Sequence, residues 1–135
     1  MIFVDTSALY ALLDADDSGH ATVAGAWPAL RGSKPVLVTT NYVMCESIAL
    51  VQSRVGLRGV QQLTGEFVPL LHVEWVDPEV HELALRTMLA ANRRDLSLVD
   101  CTSFLIMRRL GINQAFTLDA HFRDQGFDCI PPPQG

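Results

Sequence analysis

The sequence predicts an α/β domain in three layers, a central parallel sheet flanked by helices on both faces. Two observations carry this. Short apolar segments alternate with longer segments of helical periodicity along the 135-residue chain. Those short segments show no apolar/polar alternation, so both faces of each strand are buried, as in a parallel sheet. In such sheets ligands bind beyond the carboxyl ends of the strands, where the strand order reverses.

Ile2 to Val4 is the first strand, and Ser7 to Leu13 is helical. DADDSGH is a polar turn, and Ala21 to Leu30 reads as a second helix closed by RGSKP. Val36 to Val38 is a buried strand. The helix Asn41 to Val55 follows, with Val43, Met44, Ile48, Leu50 and Val51 on helical spacing. Arg58 to Phe67 is a weaker helix, and Leu70 to Val76 a strand. Asp77-Pro78 supplies an N-cap and an N1 proline for a helix running to about Ala91. Ser97 begins another, which ends at Gly111 after Arg108 and Arg109. Ile112 to Phe116 and Phe127 to Ile130 complete the set. Residues 1–131 make one domain, and 132–135 a proline-rich tail unable to continue a helix or central strand.

At this length a single core buries about two-thirds of the unfolded surface. With 49% hydrophobic and 19% charged residues, the chain belongs among folded domains. Cys45, Cys101 and Cys129 form no C-x-x-C pair, and with four scattered histidines they offer no zinc spacing. They read as free buried thiols of a reducing compartment. No signal peptide opens the sequence and no apolar run reaches membrane length, so a cytoplasmic protein with no membrane partner is expected. A net charge of −5 argues against a simple nucleic-acid sleeve. It leaves room for a nuclease, whose acidic site is reversed in sign by bound cations.

Four carboxylates stand where the pattern does not call for them. Asp5 interrupts the apolar opening MIFVDTSALYALL, and Glu46 interrupts the helix in TTNYVMCESIAL. Asp100 lies in the first turn of DLSLVDCTSFLIMRRLG, and Asp119 follows a strand in AFTLDAHF. Each has an ordinary explanation. Asp5 is a plausible N-cap, Ser97-x-x-Asp100 a capping box, Asp119 a cap or turn, and Glu46 a surface glutamate. Jointly they map to one edge of the inferred sheet. Converging carboxylates repel one another unless cations sit between them, and an all-oxygen set suits Mg²⁺ or Mn²⁺. Two such ions can clamp the attacking and leaving oxygens of a phosphodiester displacement.

The stretches FVDTSAL, the Glu46 helix, SLVDCTSFLIMRRLG and AFTLDAHFRDQGF resemble the motifs of PIN domains, above all the VapC-like ribonuclease toxins of VapBC toxin–antitoxin pairs. The resemblance spans Ile2 to Pro131, with four motifs in order. It implies a PIN-like fold and a Mg²⁺- or Mn²⁺-dependent endoribonuclease acting on RNA. It also implies a homodimer and a cognate antitoxin partner. The family's catalytic, metal-binding acids fall on Asp5, Glu46, Asp100 and Asp119, with Thr6 and Ser103 as polar neighbours and the loop acid Asp95 as a further candidate. The alternative is an inactive PIN module that binds RNA or a protein.

Rival folds fare worse. By family resemblance a phosphorylation receiver wants a lysine on a late loop, yet the only lysine is Lys34. A haloacid-dehalogenase-type phosphatase wants an aspartate where Ser7 stands. Arg54, Arg58, Arg93 and Arg94 are candidates for a phosphate-tracking surface, or simply solvated helix ends. The histidines, His121 included, read as surface or cap residues, and Trp27 and Trp75 as core or interface.

Overall fold

The computed structural model describes residues 1–133; Gln134 and Gly135, the end of the expected tail, lie outside the described residues. Five strands form one all-parallel sheet: β1 (Ile2–Val4), β2 (Leu37–Thr40), β3 (Leu71–Glu74), β4 (Gln114–Phe116) and β5 (Asp128–Ile130). Their order is β3-β2-β1-β4-β5. The chain moves outward from β1 to β3 and then returns to the other side of β1. The order therefore reverses between β1 and β4, the place where a parallel sheet opens a crevice at its carboxyl edge. Val4 pairs with Phe116 there, and the Asp5 N–H continues the ladder to the Phe116 carbonyl at 3.1 Å.

Among the described residues seven α-helices accompany the sheet: α1 (Thr6–Leu13), α2 (His20–Gly32), α3 (Asn41–Arg54), α4 (Leu57–Gln62), α5 (Pro78–Ala91), α6 (Leu98–Leu110) and α7 (Ala120–Asp124). Helix α1 packs on α2 and α3, and α5 on α6. The central strands β1 and β2 are buried at every position, as the missing alternation requires, whereas β3 at the edge is partly exposed. Phe3, Phe116 and Phe122 are fully buried. Phe104 meets Phe122 edge-on with centroids 4.9 Å apart, which pins α7 to α6.

Most expected elements are present, and the departures have local causes. The strand expected from Ile112 starts at Gln114. Gly111 ends α6 in the left-handed region (φ 69°), and the Ile112 N–H returns to the Met107 carbonyl at 2.8 Å instead of joining the sheet. The weaker helix divides into α4, a π turn at Leu63–Phe67 and a 3₁₀ turn at Val68–Leu70. There the Thr64 hydroxyl donates to the Val60 carbonyl at 2.9 Å and competes with the helical ladder. Gly59 is required at this point, since a Cβ would come within 2.8 Å of Val51 on α3. The strand expected to reach Val76 stops at Glu74, because the Val76 N–H turns to Asn41 Oδ1 at 2.7 Å. Helix α7 completes the set, with Asp119 as its cap. Only Cys101 is a buried thiol; Cys45 is exposed and Cys129 half-buried. Trp27 packs on Phe67 and Phe116, but Trp75 is 74% exposed and belongs to no core.

Candidate active site

Helices α1 and α7 follow the parallel strands β1 and β4 and begin at the sheet's carboxyl edge. Helix α6, which follows α5, brings its first turn to the same place beside Asp119. Asp5 links β1 to α1 as its N-cap, and its Oδ2 accepts the Ser7 N–H at 3.4 Å. Asp119 caps α7, its Oδ1 accepting the His121 N–H at 2.9 Å. Asp100 closes the capping box of α6: its Oδ2 accepts the Ser97 N–H at 3.2 Å, and its own N–H donates to Ser97 Oγ at 3.0 Å. The ordinary explanation and the functional one describe the same geometry. Each aspartate uses one oxygen for a helix end. Asp5 Oδ1, Asp100 Oδ1 and Asp119 Oδ2 have no hydrogen-bond partner among the described residues.

The three acids act on one another. Asp5 is 4% exposed, and its pKa rises from 3.8 to about 6. Burial is the main cause; hydrogen bonds from Ser7 and Thr117 oppose it, and the charges of Asp100 and Asp119 add to it. Burial likewise raises Asp100, the Ser97 N–H opposes, and Asp119 repels. A centre that disfavours its own anionic state suits a divalent cation.

His121 is the residue that sequence reasoning missed. One donor atom from each of Asp100, Asp119 and His121 lies within 4.8 Å of the others, the spacing of ligands around one ion. His121 Nδ1 is 2.7 Å from Asp119 Oδ1, and Nε2 is 3.2 Å from Asp95 Oδ2. Asp95 is held in turn by the Arg93 guanidinium at 2.9 and 3.3 Å, which lowers its pKa. Burial opposes charging of the His121 ring, but the Asp95 and Asp119 carboxylates outweigh it and raise its pKa. The signal was present in LDAHF: a residue two positions after an N-cap points back over the helix start.

Glu46 is half-buried on α3 and lines an apolar groove with Tyr42, Cys45, Ala49 and Val99, the last of these next in sequence to Asp100 in the first turn of α6. Ser103 donates back to the Val99 carbonyl at 2.9 Å, so its proton is not offered to the site. Thr6 Oγ1 and Ser47 Oγ, next in sequence to Asp5 and Glu46, are buried with no hydrogen-bond partner among the described residues. Arg93 and Arg94 lie beside the Asp95 loop. Arg54 is carried away: α3 starts at the end of β2, and thirteen further residues place Arg54 about 20 Å along it. There it lies over the Tyr10 ring. Arg58 is nearby on α4.

A five-stranded parallel sheet with aspartates gathered at its switch point defines the class, and the chain belongs to the PIN-domain family, whose model matches residues 2–128. Its relatives narrow this. The chain is 35% identical over 133 residues to a protein named 23S rRNA-specific endonuclease VapC20, from two strains of Mycobacterium tuberculosis, covering 98% of this chain and 99% of the relative. It is also similar to the crystal structure of M. tuberculosis VapC20, described as a Sarcin-Ricin loop cleaving toxin. The TM-score is 0.81 and the identity 36%, covering 94% of this chain and 96% of that one.

Proposed function

We propose that this chain is a metal-dependent endoribonuclease and the toxin of a toxin–antitoxin pair. The observation that carries this is the convergence of Asp5, Asp100 and Asp119, three acids from distant parts of the sequence, each with one unshared oxygen. The donor set fits a divalent cation, which on binding would neutralise phosphate charge and lower the pKa of water. Asp5, Asp100 and Asp119 would hold it, with Glu46, on α3 beside Val99, serving a second ion. Ser7 and Thr117 orient Asp5 through its Oδ2. Arg93, which bonds Asp95 beside His121, and its neighbour Arg94 are placed to steer an RNA backbone.

The name of VapC20 makes the sarcin–ricin loop of 23S rRNA the first substrate to test, and its toxin title supports an antitoxin partner and a cytoplasmic site of action. Among the described residues no helix is long and apolar enough to cross a membrane. Purified protein should be incubated with ribosomes in Mn²⁺, Mg²⁺ or EDTA, and new RNA ends sequenced. A single cation-dependent end in 23S rRNA, absent with Asp5→Asn, is expected. Cleavage that survives EDTA, or no cleavage of any RNA, overturns the reading.

A further inference from the structure

Imidazole is not a ligand that Mg²⁺ favours. Mg²⁺ binds oxygen and keeps its waters, whereas first-row transition ions accept ring nitrogen readily. The position of His121 therefore bears on which ion the site selects. Its Nε2 faces the Asp95 carboxylate, and Arg93 fixes that carboxylate through two hydrogen bonds. Arg93 Nη2 also approaches Nε2, but at 3.5 Å, well beyond its 2.9 Å bond to Asp95. With the Nε2 proton donated to Asp95, the Nδ1 lone pair faces Asp119 Oδ1 at 2.7 Å. Two acceptors at that distance require a proton or a cation between them. A ring nitrogen aimed at a ligand cluster, with its other nitrogen donating to a carboxylate, is the outer-shell arrangement that orients metal-bound histidines.

We propose that His121 supplies a nitrogen ligand through Nδ1 beside Asp100 and Asp119, with Asp95 and Arg93 as its positioning residues, so that the site takes Mn²⁺ in preference to Mg²⁺. This rests on the metal-nuclease reading and adds to it a ligand type and an ion preference. The Arg93–Asp95 pair then has a purpose besides stability, since an exposed ion pair contributes little to folding.

The test reads metal binding, not cleavage. Mn²⁺ is titrated into the protein and followed by electron paramagnetic resonance, with Mg²⁺ as competitor. Bound Mn²⁺ in the wild type should show electron spin-echo modulation from a directly coordinated nitrogen, which changes on ¹⁵N labelling of histidine. His121→Gln should abolish that signal and weaken Mn²⁺ at least about tenfold, while Mg²⁺ changes less than about threefold. Asp95→Asn should keep the nitrogen signal and weaken Mn²⁺ by about 10–100-fold. Mn²⁺ bound by wild type without nitrogen coupling overturns the proposal and leaves the nuclease reading standing, and it needs no variant to fold. Equal loss of both ions in His121→Gln also overturns it. No divalent binding by wild type sinks both readings. Intact nitrogen coupling without RNA cleavage sinks only the nuclease.

Discussion

Ser7 Oγ and Thr117 Oγ1, 110 residues apart in sequence, lie 3.1 Å from each other and donate to the same oxygen, Asp5 Oδ2, at 2.8 and 3.0 Å. Each hydroxyl also accepts an N–H from the turn after β4: Leu118 to Ser7, and Asp119 to Thr117, both at 2.9 Å. Both hydroxyl protons go to Asp5, so the contact between the two oxygens is proximity and not a hydrogen bond. The pair ties the end of β1 to the end of β4 and fixes Asp5 relative to Asp119.

Thr117→Val removes the donor to Asp5 and the acceptor for the Asp119 N–H while keeping shape. It should cost about 1–3 kcal/mol of stability, because Asp5 loses a partner in a buried setting and the Asp119 N–H in a half-buried one. RNA cleavage should fall with it, and Thr117→Ser should restore both. Urea unfolding and a cleavage assay check this; a Val variant as stable and active as wild type removes the clamp from the account.

Asp5 makes metal-free stability depend on pH. Its folded pKa of about 6 lies above the 3.8 of an exposed carboxyl, so between these values the native state holds a proton that the unfolded state has released. Stability in EDTA should therefore fall as pH rises from about 4 to 6 and stay at the lower level above that. A shift of this size corresponds to at most about 3 kcal/mol. Asn caps a helix about as well as Asp, so Asp5→Asn should remove this contribution and melt above wild type at pH 7.5 in EDTA. Added Mg²⁺ should raise wild type by mass action and the variant less. A variant that melts below wild type in EDTA and still responds fully to Mg²⁺ returns Asp5 to the role of a cap.

Asp100→Asn and Asp119→Asn should each reduce cation-dependent cleavage by about a hundredfold or more, since each replaces a charged oxygen by a neutral amide. Glu46→Gln separates two roles. It should slow cleavage yet leave the tight Mn²⁺ site among the aspartates intact. Unchanged cleavage would make Glu46 an ordinary groove residue.

Arg94→Glu should weaken RNA binding across sequences and lower the slope of log affinity against log salt by about 1. Arg54→Glu, over the Tyr10 ring, should leave that slope unchanged. Filter binding at several salt concentrations decides between the two arginines; a slope that responds only to Arg54 would move the RNA track to the other end of α3.

The sequence alone determined the parallel sheet, because apolar runs without alternation leave no solvent face, and it placed Asp5, Asp100 and Asp119 at helix starts through capping patterns. Capping is a local interaction, legible within four residues. Strand order was not local: β1 pairing with β4 made the starts of α1 and α7 neighbours, and the packing of α6, which follows α5, brought Asp100 to them. Glu46 interrupts an apolar helix conspicuously, and the packing of α3 sets it in a groove with Val99, next in sequence to Asp100. His121 looked like surface in the sequence and became part of the cluster, because Phe122 anchors α7 in the core and turns the preceding residue toward Asp119. Local patterns set where charges could stand; the crossovers, through burial of Phe3, Phe116 and Phe122, decided which of them meet.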